Sequence, residues 1–107
     1  MTMLADQKIE PPQAGMKPLP RGEAEKLAAE VPQWTLKDNA IEREFKFKDF
    51  LEAIDFVNEA ARVAQAADHH PDIHISYNKV RLEFSTHKIG GLSKNDFILA
   101  ARVDKLV

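Results

Sequence analysis

Hydrophobic and polar positions along the chain fall into blocks of two different periods. Ala24, Leu27, Ala28 and Val31 recur at helical spacing behind Pro20, which suits a helix start, and Pro32 stops the run. Trp34 and Leu36 then alternate with polar neighbours, and Asp38-Asn39 has turn chemistry. Ile41, Phe45 and Phe47 share one strand face, with Arg43 the exception on it. This predicts a β-hairpin over 33–37 and 40–47. Asp49 with Glu52 three residues later forms a capping-box pattern with Asp in the cap. Behind it the longest helix is expected over about 50–68, with Phe50, Ile54, Val57, Ala61 and Ala64 as its stripe and Ala53, Ala60 and Ala67 beside it. So many alanines let another element approach closely, either in the core or across a subunit contact.

Further on, Ile73, Ile75 and Tyr77 alternate with His74 and Ser76, and Val80, Leu82 and Phe84 alternate with Arg81 and Glu83. With Asn78-Lys79 as a two-residue turn, Tyr77 faces Val80, Ile75 faces Leu82 and Ile73 faces Phe84. The apolar faces then match, and the opposite face pairs His74 with Glu83 and Ser76 with Arg81. Gly90-Gly91 breaks the chain. Ser93 with Asp96 three residues on is a second capping box, opening a final helix over 94–106 with Leu99, Val103 and Leu106 on one stripe. The order is αββαββα. It predicts an α+β fold, a four-stranded antiparallel sheet with three helices packed on one face. Residues 1–19, with Pro11, Pro12 and Pro18, form an irregular N-terminal leader, either a mobile tail or a partly packed segment. Residues 20–107 form a single domain.

Composition narrows the function classes. The chain has 107 residues, 44% hydrophobic and 30% charged, as in an ordinary globular domain. A core of this size is modest, so self-association would add stability. The net charge of −2 argues against a nucleic-acid backbone binder. The absence of cysteine excludes disulfides, zinc-thiolate sites and thiol catalysis. No run approaches the roughly 18 apolar residues of a membrane span. MTMLADQKIE lacks a basic start before an apolar core, so no signal peptide is expected and the cytoplasm is the expected location.

The candidate chemistry sits in AQAADHHPDIHISYNKV, residues 64–80, where His69 and His70 stand together at a helix-to-strand corner. Histidine titrates nearest working pH and can give or take protons with little tuning. Pro71 disfavours helix at His70, so the two rings can diverge. The second hairpin doubles back, so residues before its first strand and after its second lie at one end of the sheet. His70 and His87 can therefore be neighbours. Simpler readings stand beside this one. A His-His pair is an ordinary polar helix end favoured by the helix dipole. His69, His70, His74 and His87 would be a set of metal ligands, although His74 falls in mid-strand. Asp96 is a helix N-terminal carboxylate in its own right, or a group that orients His87 by accepting an imidazole proton.

The residues Asp68-His69-His70-Pro71, Tyr77-Asn78-Lys79-Val80, Ser85-Thr86-His87, Gly91-Leu92-Ser93 and Asp96 resemble the pterin-4a-carbinolamine dehydratase family, also called 4a-hydroxytetrahydrobiopterin dehydratases. The pattern is His-His-Pro, five residues, Tyr, nine residues, His, eight residues, Asp. The resemblance extends through Trp34 to a leader, LADQKIEPPQAG, similar to that of bacterial members. It departs at Gln65, where many members carry an acidic residue. The resemblance implies the αββαββα fold and homodimers or homotetramers. It implies three catalytic histidines, His69, His70 and His87, with Pro71, Asp96 and Thr86 as substrate-binding or orienting residues, and neither metal nor cofactor. The implied substrate is a pterin left by an aromatic amino acid hydroxylase. In this scheme His70 and His87 transfer protons, His69 positions substrate or assists, and Asp96 orients His87. Animal members also serve as dimerisation cofactors of a transcription factor, a role that the bacterial-type leader argues against here.

Overall fold

In the computed structural model, which describes residues 3–13 and 15–107, a helix α1 (Arg21–Ala28) precedes a short strand pair, β1 (Thr35–Leu36) and β2 (Ile41–Lys46). Helix α2 (Phe50–Ala67) leads to the hairpin β3 (Asp72–Ser76) and β4 (Lys79–Phe84), and α3 (Lys94–Asp104) follows. The four strands form one antiparallel sheet in the order β1-β2-β4-β3. Helices pack on one of its faces, as expected. Among the described residues no helix is long and apolar enough to cross a membrane.

Alternation builds the core. Val80, Leu82 and Phe84 of β4 and Ile41 of β2 are fully buried under the helices, each contributing about 1.5–3 kcal/mol by the usual transfer scale. Arg43 occupies the same face, and the structure explains the exception. Its Nη1 donates to Asp104 Oδ1 at 2.6 Å, and Trp34 Nε1 donates to the same oxygen at 2.8 Å. The guanidinium also lies 4.3 Å from the Phe45 ring centroid.

Two expectations are corrected. The β3–β4 turn is Tyr77-Asn78, not Asn78-Lys79, so Ile75 faces Val80, Ile73 faces Leu82 and His74 faces Arg81 rather than Glu83. The slip is two residues, which leaves every side chain on its expected face. Asn78 accounts for it. Its Nδ2 donates to the Phe47 carbonyl at 2.8 Å, and its own carbonyl accepts the Phe47 N–H at 2.8 Å. This docking holds Tyr77 at φ 52°, a left-handed conformation uncommon for a bulky residue.

The second correction concerns α2. Its buried stripe is Ala53, Phe56, Ala60 and Ala64, whereas Phe50 and Leu51 are 48% and 72% exposed and Ala61 faces solvent. The alanines serve the core: they let the helix approach the sheet, and Phe56 is the bulky member of the buried stripe. Its ring lies 4.5 Å from that of Phe45 and 5.0 Å from that of Phe47, centroid to centroid. Asp49 caps α2 by accepting the Glu52 N–H at 2.9 Å, while Glu52 Oε1 reaches back to the Lys48 N–H at 3.4 Å.

Helix α3 is central. Phe97, Ile98, Leu99, Ala100 and Val103 are all buried, a wider face than a single stripe. The leader covers its outer side. A 3-10 turn (Leu4–Asp6) packs on α3, and Leu4 enters the core. The leader's residues 1, 2 and 14 lie outside the described residues.

Candidate active site

The corner begins where α2 stops. Asp68 takes a left-handed conformation, φ 51°, which ends the helix before either histidine. The Asp68 N–H goes to the Gln65 carbonyl and the His69 N–H goes back to the Ala64 carbonyl, each at 3.1 Å, the two bonds of a Schellman closure. This closure turns His69 inward and leaves His70 and Pro71 on the path out to β3. Local backbone chemistry thus separates two adjacent rings.

His69 is 9% exposed, with its ring parallel to Phe84 at 6.2 Å between centroids. Its Nε2 lies 2.5 Å from Asp96 Oδ1. Asp96 is fully buried, and its other oxygen accepts the Thr86 hydroxyl at 2.8 Å and the Ser93 N–H at 2.9 Å. The Thr86 and Ser93 hydroxyls are themselves 2.8 Å apart. The network ties the end of α2, the end of β4 and the start of α3 into one unit. Among the described residues no buried side-chain nitrogen or oxygen lacks a partner. A carboxylate acceptor requires the proton on Nε2 of His69, so the ring's tautomer and orientation are set together.

The expected pairing of Asp96 with His87 is corrected here: both Asp96 oxygens serve His69, Thr86 and Ser93. His87 opens a 3-10 turn (His87–Ile89) and is exposed. Gly90 closes that turn at φ 73°, and Gly91 then pairs with Thr86 across a single bridge. The backbone therefore swings His87 away from the carboxylate that its neighbour Thr86 contacts.

His70 is exposed, and its Nε2 lies 2.9 Å from Gln65 Oε1. An amide oxygen carries no proton, so Nε2–H donates and Nδ1 is the acceptor of the neutral ring. With Pro71, Gln65, Ala61, Arg62 and Ile73, His70 lines a groove of about 670 Å³ between α2 and β3. That volume lies in the range of small-molecule sites. His70–Pro71 and Thr86–His87 lie at one end of the sheet, because Asp72 pairs with Glu83 directly between them. His74 stands on the opposite face of the sheet from the helices, across from Arg81. Among the described residues no three His, Asp or Glu side chains gather as metal ligands. Ser93 and Gln65 join the site as partners of Asp96 and His70. The Ser93–Asp96 spacing was the signal available for the first, and Gln65 stood out as a departure from the family pattern.

Comparison with known proteins identifies the family. A family model described as pterin 4 alpha carbinolamine dehydratase matches residues 17–106. A Nitrosomonas eutropha protein, provisionally named a pterin-4-alpha-carbinolamine dehydratase, is 50% identical over 97% of this chain and 93% of its own length. A Methylococcus capsulatus protein with the same provisional name is 49% identical over 96% of this chain and 92% of its own. A crystal structure of a transcriptional coactivator/pterin dehydratase from Brucella melitensis superimposes with a TM-score of 0.80 at 32% identity, covering 84% of this chain and 98% of that one. This chain belongs to the pterin 4 alpha carbinolamine dehydratase family, a family of hydro-lyases.

Proposed function

We propose that the protein removes water from 4a-hydroxytetrahydrobiopterin to give quinonoid dihydropterin, by histidine general acid–base catalysis, in the regeneration of tetrahydrobiopterin. The reaction delivers one proton to the C4a hydroxyl, which leaves as water, and takes one proton from N5. The C4a–O bond breaks and a C=N bond forms, with no net change of protons or electrons on the enzyme. Groups with near-neutral pKa suit both transfers, each contributing about 10²–10⁴-fold. The observation that carries the reading is the division of the corner into a buried, hydrogen-bonded His69–Asp96–Thr86–Ser93 unit and an accessible His70 in a groove of suitable size. His70 and His87 are the proposed proton-transfer pair. His69 is the positioning partner, held by Asp96, and Pro71 shapes the groove wall. Apo sites of this kind tighten their hydrogen bonds when substrate binds.

The test follows the decay of enzymatically generated 4a-hydroxytetrahydropterin by ultraviolet absorbance, with chelator present. The parent should accelerate decay, and folded His70→Ala and His87→Ala variants should not. A folded parent without acceleration would overturn the activity. A fully active His87→Ala variant would remove His87 from the pair.

The same reading places the enzyme in the cytoplasm as a homodimer or homotetramer, serving an aromatic amino acid hydroxylase. Edge strand β3 supports self-association. Its Ile73 and Ile75 face the helix side yet are 36% and 42% exposed, and among the described residues no strand pairs with its outer backbone edge. Sedimentation of the parent against Ile75→Lys measures this directly. An unchanged mass in the variant would exclude the β3 edge as the contact.

A further inference from the structure

We infer that the leader is a strap that positions the Asp96 carboxylate, with Asn95 as the positioning residue through which it acts. The inference rests on the dehydratase reading above, because it assigns the strap a role in turnover. The leader grips three places around the buried network. At the far end of α3, Arg102 donates from Nε to the Ala5 carbonyl at 3.0 Å and from Nη2 to the Gln7 carbonyl at 2.7 Å. At the near end, Asn95 Oδ1 accepts the Glu10 N–H at 3.1 Å and Asn95 Nδ2 donates to the Glu10 carbonyl at 2.6 Å. One side-chain amide thus satisfies both backbone groups of a leader residue, as a neighbouring strand would. At the loop before α3, the Leu19 N–H donates to the Leu92 carbonyl at 2.9 Å. Pro18 lies so close over Gly91 that a Cβ there would sit 2.8 Å from Pro18 Cβ.

These grips bracket the site's fixed points. Gly91 is the backbone partner of Thr86, with Thr86 N–H to Gly91 carbonyl at 2.8 Å. Ser93 and Asp96 follow the Leu92 grip directly, Ser93 as the N-cap of α3 and Asp96 in its first turn. Asn95 is next to Asp96, and at 5% exposure it is more buried than a polar residue in an outward-facing first turn would be without a cover. The carboxylate holds three donors at once, so a small displacement of the first turn of α3 misaligns all of them. A leader that only added stability would leave those contacts in place when a grip is removed.

The experiment uses the full-length chain. In Asn95→Ala, kcat should fall about tenfold with KM within about twofold, the mark of a misplaced group rather than lost substrate binding. The His69 Nε2–H proton resonance, shifted downfield by its carboxylate partner, should move or broaden in the same variant. Asn95→Asp keeps an acceptor for the Glu10 N–H and should recover part of kcat. Glu10→Pro removes the leader's donor without changing α3 and should cost about threefold in kcat, near the size of one net hydrogen bond. Folded variants that keep the parent's kcat and His69 resonance would overturn the strap, whatever their melting temperatures. If Asn95→Ala does not fold, Glu10→Pro decides. An inactive parent would fail the dehydratase reading instead, and the resonance would still decide whether the leader positions Asp96.

Discussion

Two polar networks in this molecule use similar side chains under opposite conditions. His69, Asp96, Thr86 and Ser93 meet beneath the corner, each at most 9% exposed. Lys37, Glu42, Arg81 and Glu83 cross the open face of the sheet, with contacts of 3.0 Å from Lys37 to Glu42, 3.2 Å from Arg81 to Glu42 and 3.6 Å from Arg81 to Glu83. In the buried network each group has only protein to turn to, so removing one member strands the others. On the open face water replaces any partner that leaves, and such pairs contribute about 0–1 kcal/mol. The difference shows what each network can do. The buried one dictates geometry, and the exposed one adjusts stability and solubility. His69 and His70 are neighbours in the chain, yet they stand on opposite sides of this divide.

Asp96→Ala is the largest break. It leaves the His69 ring, the Thr86 hydroxyl and the Ser93 N–H without their acceptor. Stability should fall by about 3 kcal/mol, and turnover should fall with it. Urea denaturation would show a lower midpoint at unchanged slope; a loss under about 1 kcal/mol would mean that water or a neighbour fills the gap. His70→Ala should separate activity from stability. Turnover should drop by about 10²-fold or more while stability stays within about 0.5 kcal/mol, because the ring is exposed and its hydrogen bond goes to the exposed Gln65. Equal losses in both would place His70 with the buried set. Thr86→Val comes next. It keeps the shape but removes the hydroxyl shared by Asp96 and Ser93, so thermal unfolding should show a loss of about 1–2 kcal/mol. A neutral result would leave Ser93 sufficient on its own to hold Asp96.

Much of the fold was legible because its signals are local. Periods of two and near four, two capping patterns and the Gly90-Gly91 break sufficed for the order of elements. The failures occur where a tertiary contact chose between near-equal local options. On α2 two adjacent apolar stripes competed, and the one with alanines won because it lets the helix lie close to Phe45 and Phe47. At the β3–β4 turn, Asn78 docking on Phe47 outweighed the strain at Tyr77. Arg43 looked out of place until Asp104, 61 residues away in sequence, supplied its partner. At the candidate site the histidine cluster was visible as residue types and spacing. The partner of Asp96 was not visible, since that carboxylate already had a local reading as a helix cap, and its contact with His69 exists only once α2 and α3 meet. The leader showed prolines and little periodicity because its polar contacts run through backbone groups to Asn95 and Arg102, and Leu4, Ile9 and Leu19, which pack on the core, are spaced too irregularly to make a pattern.

The smallest effect belongs to the open face, and pH isolates it. Glu42 is held below the ordinary carboxylate value of 4.5, chiefly by the hydrogen bond from Lys37 and then by that from Arg81, with partial burial acting the other way. A carboxylate whose pKa is lower in the folded state than in the unfolded chain binds fewer protons when folded. Its stabilising contribution is therefore complete above the ordinary value and is lost as pH falls through the folded-state value. Glu42→Gln should cost less than about 1 kcal/mol at neutral pH, since both cations are substantially exposed and screened by solvent. That cost should shrink with added salt and vanish in acid, where parent and variant unfold alike. Thermal melts of the two proteins across pH and ionic strength measure the difference. A cost that stays constant from neutral to acid pH would mean that Glu42 acts by packing rather than charge, and the open face would then share more with the buried network than its exposure implies.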